Sequence, residues 1–155
     1  MHIVFNENTG LLMPGEYKMS FEEFEKTFVY NYKRRSIFIG FKRLLVILKE
    51  IDCDFIYVDG SFVTLKTLPG DIDVCWNMNN KKEMREIQLY KLFEICPQLF
   101  NINDQKNREF VETEFCADVF PANSIESECG LMFKDFFQID KETELPKGII
   151  IISLL

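Results

Sequence analysis

Read from the amino terminus, the alternation of apolar and polar positions changes period several times, and each change predicts an element. Residues 1 to 19 have little periodicity and carry the turn clusters Asn6 to Gly10 and Met13-Pro14-Gly15, which predict a loop. Ser20 and Glu23 make a capping box, with Met19 and Phe24 placed as its hydrophobic staple, and Phe21, Phe24 and Phe28 then share one helical face. A second helix is predicted over 35–50, where Ile37, Phe38, Phe41, Leu44, Leu45 and Leu48 recur at helical spacing opposite Lys42, Arg43 and Lys49. The basic cluster Lys33, Arg34 and Arg35 at its start reads as a solvated face.

Strand-length apolar runs follow. Phe55 to Val58 is one, and Ile72 to Trp76 alternates as a second, after the turn Pro69-Gly70. Asn79 and Asn80 are placed to cap a third helix over 82–96, ended by Pro97. The apolar positions of that helix run around more than one face, which predicts burial as core. Residues 101–108 are polar and predict a loop. From Phe110 to Phe120 the parity suggests another strand, with apolar Val111, Phe115, Ala117 and Val119 on one face and Glu112, Glu114 and Asp118 on the other. A short phenylalanine-rich helix within 130–138 and a buried strand over 149–155 complete the reading. One α+β domain spanning residues 1–155 is expected, a small mixed sheet flanked by helices, with no repeat and no linker.

The chemistry concentrates between Asp59 and Trp76. Asp71 and Asp73 are two apart at a strand, so both carboxylates leave the same face, about 7 Å apart, while Ile72 and Val74 leave the other. Two neighbouring anions repel, and a hard divalent cation on oxygen ligands relieves that repulsion. Mg2+ is the expected ion, with Mn2+ as a substitute. Gly60 and Ser61 leave the preceding strand as a turn suited to phosphate, because glycine lets backbone N–H groups approach an anion and a serine hydroxyl donates to it. Lys66 lies within reach of the same phosphates in one reading and is a plain exposed lysine in the other. Of the carboxylates on the 110–120 strand at most one can join Asp71 and Asp73, and Asp118, short and framed by Ala117, Val119 and Phe120, is the choice.

Composition narrows the partners. A net charge of -7 argues against a broad footprint on nucleic acid and toward a protein or small-molecule acceptor. The five cysteines are odd in number and form no CxxC pair, and neither a secretory signal nor a membrane-length apolar run is visible, so a reducing cytoplasm is expected. His2 is the one histidine, at the very start of the chain, which removes histidine-dependent catalysis and makes zinc a poor fit.

The spacing Gly60-Ser61, nine residues, then Asp71-Ile72-Asp73 resembles the signature of the DNA polymerase beta nucleotidyltransferase superfamily. The longer wording around Asp59 to Trp76 and Asp118 to Pro121 resembles short bacterial nucleotidyltransferase-like proteins, over about residues 10–152. The resemblance implies transfer of a nucleoside monophosphate from an NTP, ATP being the expected one, to a hydroxyl. It further implies two Mg2+ ions held by Asp71, Asp73 and Asp118, and phosphates bound by Gly60, Ser61 and Lys66. The lack of room for a second, acceptor-gripping domain is similar to the minimal nucleotidyltransferases of toxin-antitoxin pairs, which modify or neutralise a partner protein. Nucleotidylation of a small molecule is a rival within the enzyme class. The alternative outside it is a catalytically silent module that uses the same fold to bind a partner.

Overall fold

The computed structural model describes residues 2–155 and is an α+β protein built on one five-stranded mixed sheet. In chain order the strands are β1 (Gly15–Met19), β2 (Phe55–Asp59), β3 (Ile72–Trp76), β4 (Ala117–Pro121) and β5 (Gly148–Ser153). Their spatial order is β1-β5-β2-β3-β4. The central hairpin-like pair β2 and β3 is antiparallel, β5 runs antiparallel to β2, and the outer pairs β1 with β5 and β3 with β4 are parallel. The helices are α1 (Phe21–Phe28), α2 (Tyr32–Glu50), α3 (Lys82–Ile95), α4 (Pro97–Phe100), α5 (Gln105–Phe115) and α6 (Phe133–Phe136). Among the described residues no helix is long and apolar enough to cross a membrane.

The capping box at Ser20 forms as its sequence demands: Glu23 N–H donates to Ser20 Oγ at 3.1 Å and Ser20 N–H to Glu23 Oε2 at 2.7 Å. Helix α2 starts at Tyr32, three residues before the predicted start at residue 35, because the Asn31 side chain accepts from Arg34 N–H at 2.9 Å and caps it. Phe24, Phe28, Ile37, Phe38, Phe41, Leu44 and Leu48 from α1 and α2 pack with the even-numbered residues Ile56, Val58, Ile72, Val74, Trp76, Ile150 and Ile152 and with Ala117 and Val119 of β4. The opposite sheet face carries a smaller apolar cluster of Tyr57, Cys75, Ile149 and Ile151 under Phe137 of the chain that follows β4, with Phe120, Phe133 and Phe136 against it. Phe120 and Phe133 stack at 4.6 Å.

Four sequence expectations are overturned. Residues 15–19 are not loop but an edge strand, paired parallel with β5 from Gly15 with Gly148 to Met19 with Ile152. The alternation of Glu16, Tyr17, Lys18 and Met19, with Met19 in the main core and Tyr17 packed on it, is the pattern that the turn signals masked. From Gln105 on, the loop predicted over 101–108 and the strand predicted from Phe110 to Phe120 are replaced by helix α5 followed by β4. Asp104 caps the helix by accepting from Asn107 N–H at 3.1 Å, Val111 and Phe115 face inward one turn apart, and Cys116, at φ 52°, switches the chain from helix to strand. Glu112 and Glu114 therefore do not share a strand face with Asp118. Helix α3 is not core throughout: Gln88 and Leu92 are its buried residues, while Met84, Ile87, Tyr90, Phe93 and Ile95 are exposed. Its cap position is Lys81, which makes no side-chain cap, and Asn79 instead accepts from Lys81 N–H at 2.9 Å. Finally, Arg34 is fully buried and not part of a solvated face, whereas Lys33 and Arg35 are exposed. Its position three and four residues before Ile37 and Phe38 puts it on the buried stripe of α2.

Candidate functional site

Strand register, fixed by the apolar face, assembles the acidic site on the other face. Asp59 at the end of β2 lies opposite Asp73 of β3, and Asp73 lies beside Asp118 of β4, so three aspartates form one row across three adjacent strands. Neighbouring strands are about 4.8 Å apart, which makes this row denser in charge than the spacing along a single strand. Asp71, immediately before β3, is two residues from Asp73 and shares its face. The next row inward is apolar, with Tyr57 paired to Cys75 and Cys75 to Phe120. The carboxylates thus stand at the margin of an apolar floor.

That placement costs their charged forms. Burial first, then the anions of Asp71, Asp59 and Asp118, push the Asp73 carboxyl up to about 7. Burial raises Asp59 to about 6 against the opposing pull of Lys147. Asp71 is raised by burial and then by the charges of Asp118 and Glu112, with Lys66 and Lys141 acting the other way. Lys147 Nζ stands 3.2 Å from Asp59 Oδ2, an ion pair in which that oxygen still lacks hydrogen-bond geometry. Asp118 is held differently: Arg108 of α5 donates to its Oδ2 at 2.8 Å. The Cys75 thiol, beneath the row, is raised well above its ordinary range by burial and by Asp59, Asp73 and Asp118, which leaves it no thiolate for nucleophilic work.

The Gly60-Ser61 turn lies directly against this row. Gly60 has φ +80°, and a Cβ there would run into the Asp73 carboxylate, with Asp73 Cγ at 2.9 Å and Asp73 Cβ at 3.3 Å. No other residue fits. After it, Ser61–Val63 makes a single 3-10 turn rather than a helix of any length. The N–H groups of Ser61 and Phe62 have no acceptor among the described residues.

Two cavities flank the row. The larger, about 880 Å³, is lined by Gly60, Ser61, Lys66 and Asp73, by the loop 7–11, and by the late segment carrying Phe136, Lys141 and Lys147. The smaller, about 210 Å³, holds Asp71 and Asp118 together with Arg108, Glu109 and Glu112 of α5. A further depression of about 620 Å³, on the same sheet face toward β1, is lined by Glu16, Lys18, Phe55, Tyr57 and Ile151 and has no carboxylate row.

All six residues singled out from the sequence come together around Asp73, but they divide between the two cavities. Glu114 does not belong: Arg43 holds it, with Nη2 2.9 Å from its carbonyl and Nε 3.5 Å from its carboxylate. Glu112, passed over in favour of Asp118, returns through the helix to the Asp71 side. Asp59, Lys141, Lys147 and Arg108 were missed. For Asp59 the signal was present, since odd-numbered Phe55, Tyr57 and Asp59 share a face; the two lysines and Arg108 arrive from distant segments that leave no local trace. As donors, Asp71, Asp73 and Asp118 are the all-oxygen anionic set that a hard cation takes, and among the described residues Asp73 has no basic partner within 4 Å. As they stand, no three acidic side chains among the described residues converge on one point, and Asp118 is turned to Arg108.

An α+β protein with a glycine turn laid against a row of aspartates is the class that fold and site define. The chain matches, over residues 3–153, a family described as of unknown function (DUF6932), and it belongs to that family. No curated protein and no solved structure matches it.

Proposed function

We propose that the protein is a Mg2+-dependent nucleotidyltransferase of the polymerase beta type, moving a nucleoside monophosphate from an NTP to a hydroxyl of a protein or small-molecule acceptor. The observation that carries this reading is the register that sets Asp73 between Asp59 and Asp118 with Gly60 packed on its carboxylate. A site whose anions are crowded and desolvated gains by taking up positive charge, and a glycine turn with free N–H donors at the same place takes phosphate.

In this reading Asp71, Asp73 and Asp118 would hold the metal, which requires the Asp118 carboxylate to be released from Arg108. Mg2+, when bound, supplies charge neutralisation and lowers the pKa of an attacking hydroxyl. The larger cavity takes the nucleotide. Ser61 and the backbone N–H groups beside it bind phosphate oxygens, and Lys66, Lys141 and Lys147, which line the same cavity, offset triphosphate charge. The smaller cavity, beside Asp118, admits the acceptor. The acceptor oxygen forms a bond to the α-phosphorus as the bond to pyrophosphate breaks, and the hydroxyl proton passes to Asp118 and on to solvent. The chain's contribution is chiefly position and electrostatics.

Incubation of the protein with each α-labelled NTP, Mg2+ and cell lysate tests the reaction. A labelled acceptor that depends on Mg2+ and on Asp118 supports it; NTP binding with no transfer to any acceptor instead supports the silent binding module.

A further inference from the structure

We propose that Arg34 is a positioning residue that shapes the Gly60-Ser61 turn and the loop after it for the triphosphate. The inference rests on the nucleotidyltransferase reading above. Arg34 is wholly buried, yet no carboxylate pairs with it. Instead its guanidinium donates to four backbone carbonyls. Nη1 reaches Phe28 at 3.0 Å and Phe62 at 2.5 Å, and Nη2 reaches Thr64 at 3.0 Å and Lys66 at 2.5 Å. Tyr30 and Phe62 cover the guanidinium, their ring centroids 4.6 and 5.0 Å away.

Three of those carbonyls alternate along the loop at residues 62, 64 and 66. In a trans peptide the carbonyl and the following N–H point in opposite directions, so drawing these carbonyls inward turns the N–H groups of 63, 65 and 67 outward. Two of them are seen to hold the cavity wall: Val63 N–H donates to the Gly60 carbonyl at 3.3 Å, and Leu65 N–H to the Gly10 carbonyl at 2.9 Å. Gly10 belongs to the loop 7–11, which lines the same cavity. Asn31, the N-cap of α2 about one turn before Arg34, adds a fourth anchor by donating to the Thr67 carbonyl at 2.7 Å. A planar fork suits this task and an ammonium does not, since lysine offers three donors from one point and no flat face to cover.

The test compares the wild type with Arg34→Lys, Arg34→Gln and Asn31→Asp. The last keeps the helix cap but loses the donor to Thr67, so it folds even if the Arg34 variants do not. Three quantities are read: amide hydrogen exchange over residues 61–67, Mn2+ affinity without nucleotide, and Mg2+-dependent ATP affinity. We expect faster exchange in all three variants and unchanged Mn2+ affinity. ATP affinity should fall at least tenfold for the Arg34 variants and about threefold for Asn31→Asp, on the scale of a lost hydrogen bond. Faster exchange with wild-type ATP affinity overturns the positioning role and leaves the proposed function standing. A wild type that binds no ATP overturns the proposed function itself, whereas Mn2+ affinity falling in step with ATP affinity reduces Arg34 to general support of the fold.

Discussion

The two faces of the five-stranded sheet come from the same fifteen or so central residues and yet obey opposite rules. On one face Ile56, Val58, Ile72, Val74 and Ile152 are fully buried against helices α1 and α2, and the charged side chain buried on that side, Arg34, is neutralised by no anion but taken up by backbone carbonyls. On the other, one step along the same strands, Asp59, Asp73 and Asp118 stand in a row beside Tyr57, Cys75 and Phe120. The first face supplies free energy, and the second spends part of it by desolvating like charges. The difference separates roles by residue parity: the apolar face fixes the register, and the register then forces together anions that would otherwise keep apart.

The comparison is broken most severely by changing the acidic row. Asp73→Asn and Asp118→Asn are each expected to lower transfer at least about a hundredfold, the scale of losing one preorganised electrostatic group, while circular dichroism and thermal unfolding of the metal-free protein stay intact or improve. Transfer retained by either variant would remove that carboxylate from the site.

How much of this was legible depended on the length of each pattern. The strands and the turn between Asp59 and Trp76 were legible because alternation and turn signals are local, whereas the cross-strand register that sets Asp59 opposite Asp73 was not read. The 105–121 segment was not legible, because Val111, Phe115, Ala117 and Val119 satisfy a strand's parity, while Val111 and Phe115 also satisfy a helical turn. Asp104 as a cap decides between them. Asp118 kept its place since the strand does begin just before it. Arg34 shows the reverse case: its residue type suggests solvent, but its position on the α2 stripe dictates burial.

On the apolar face Phe24→Ala should cost about 3–5 kcal/mol, because Phe24 is fully buried against Phe28, Phe38, Phe41 and Phe62 and the cavity left cannot close. Denaturant unfolding measures it. The metal affinity of the folded fraction should not change, and a large change would show that the faces are not separable.

A smaller effect sharpens the electrostatic half. Asp73 and Asp59 are raised in the folded protein, to about 7 and about 6, above an unfolded value near 3.9. Groups raised in this way favour the fold fully below about pH 4, and that contribution is lost as pH climbs through the folded values. The melting temperature in chelator should therefore fall between about pH 4 and pH 7, and Asp73→Asn should flatten part of the fall. A melting temperature that rises steadily over that window would contradict the burial and repulsion assigned to the row.

The most direct test of the central claim is titration calorimetry of ATP into the wild type and Asp73→Asn, each with Mg2+ and with chelator. The account predicts saturable binding to the wild type that requires Mg2+ and is lost in Asp73→Asn. Equal heats with and without Mg2+, or undiminished Mg2+-dependent binding by Asp73→Asn, would contradict it.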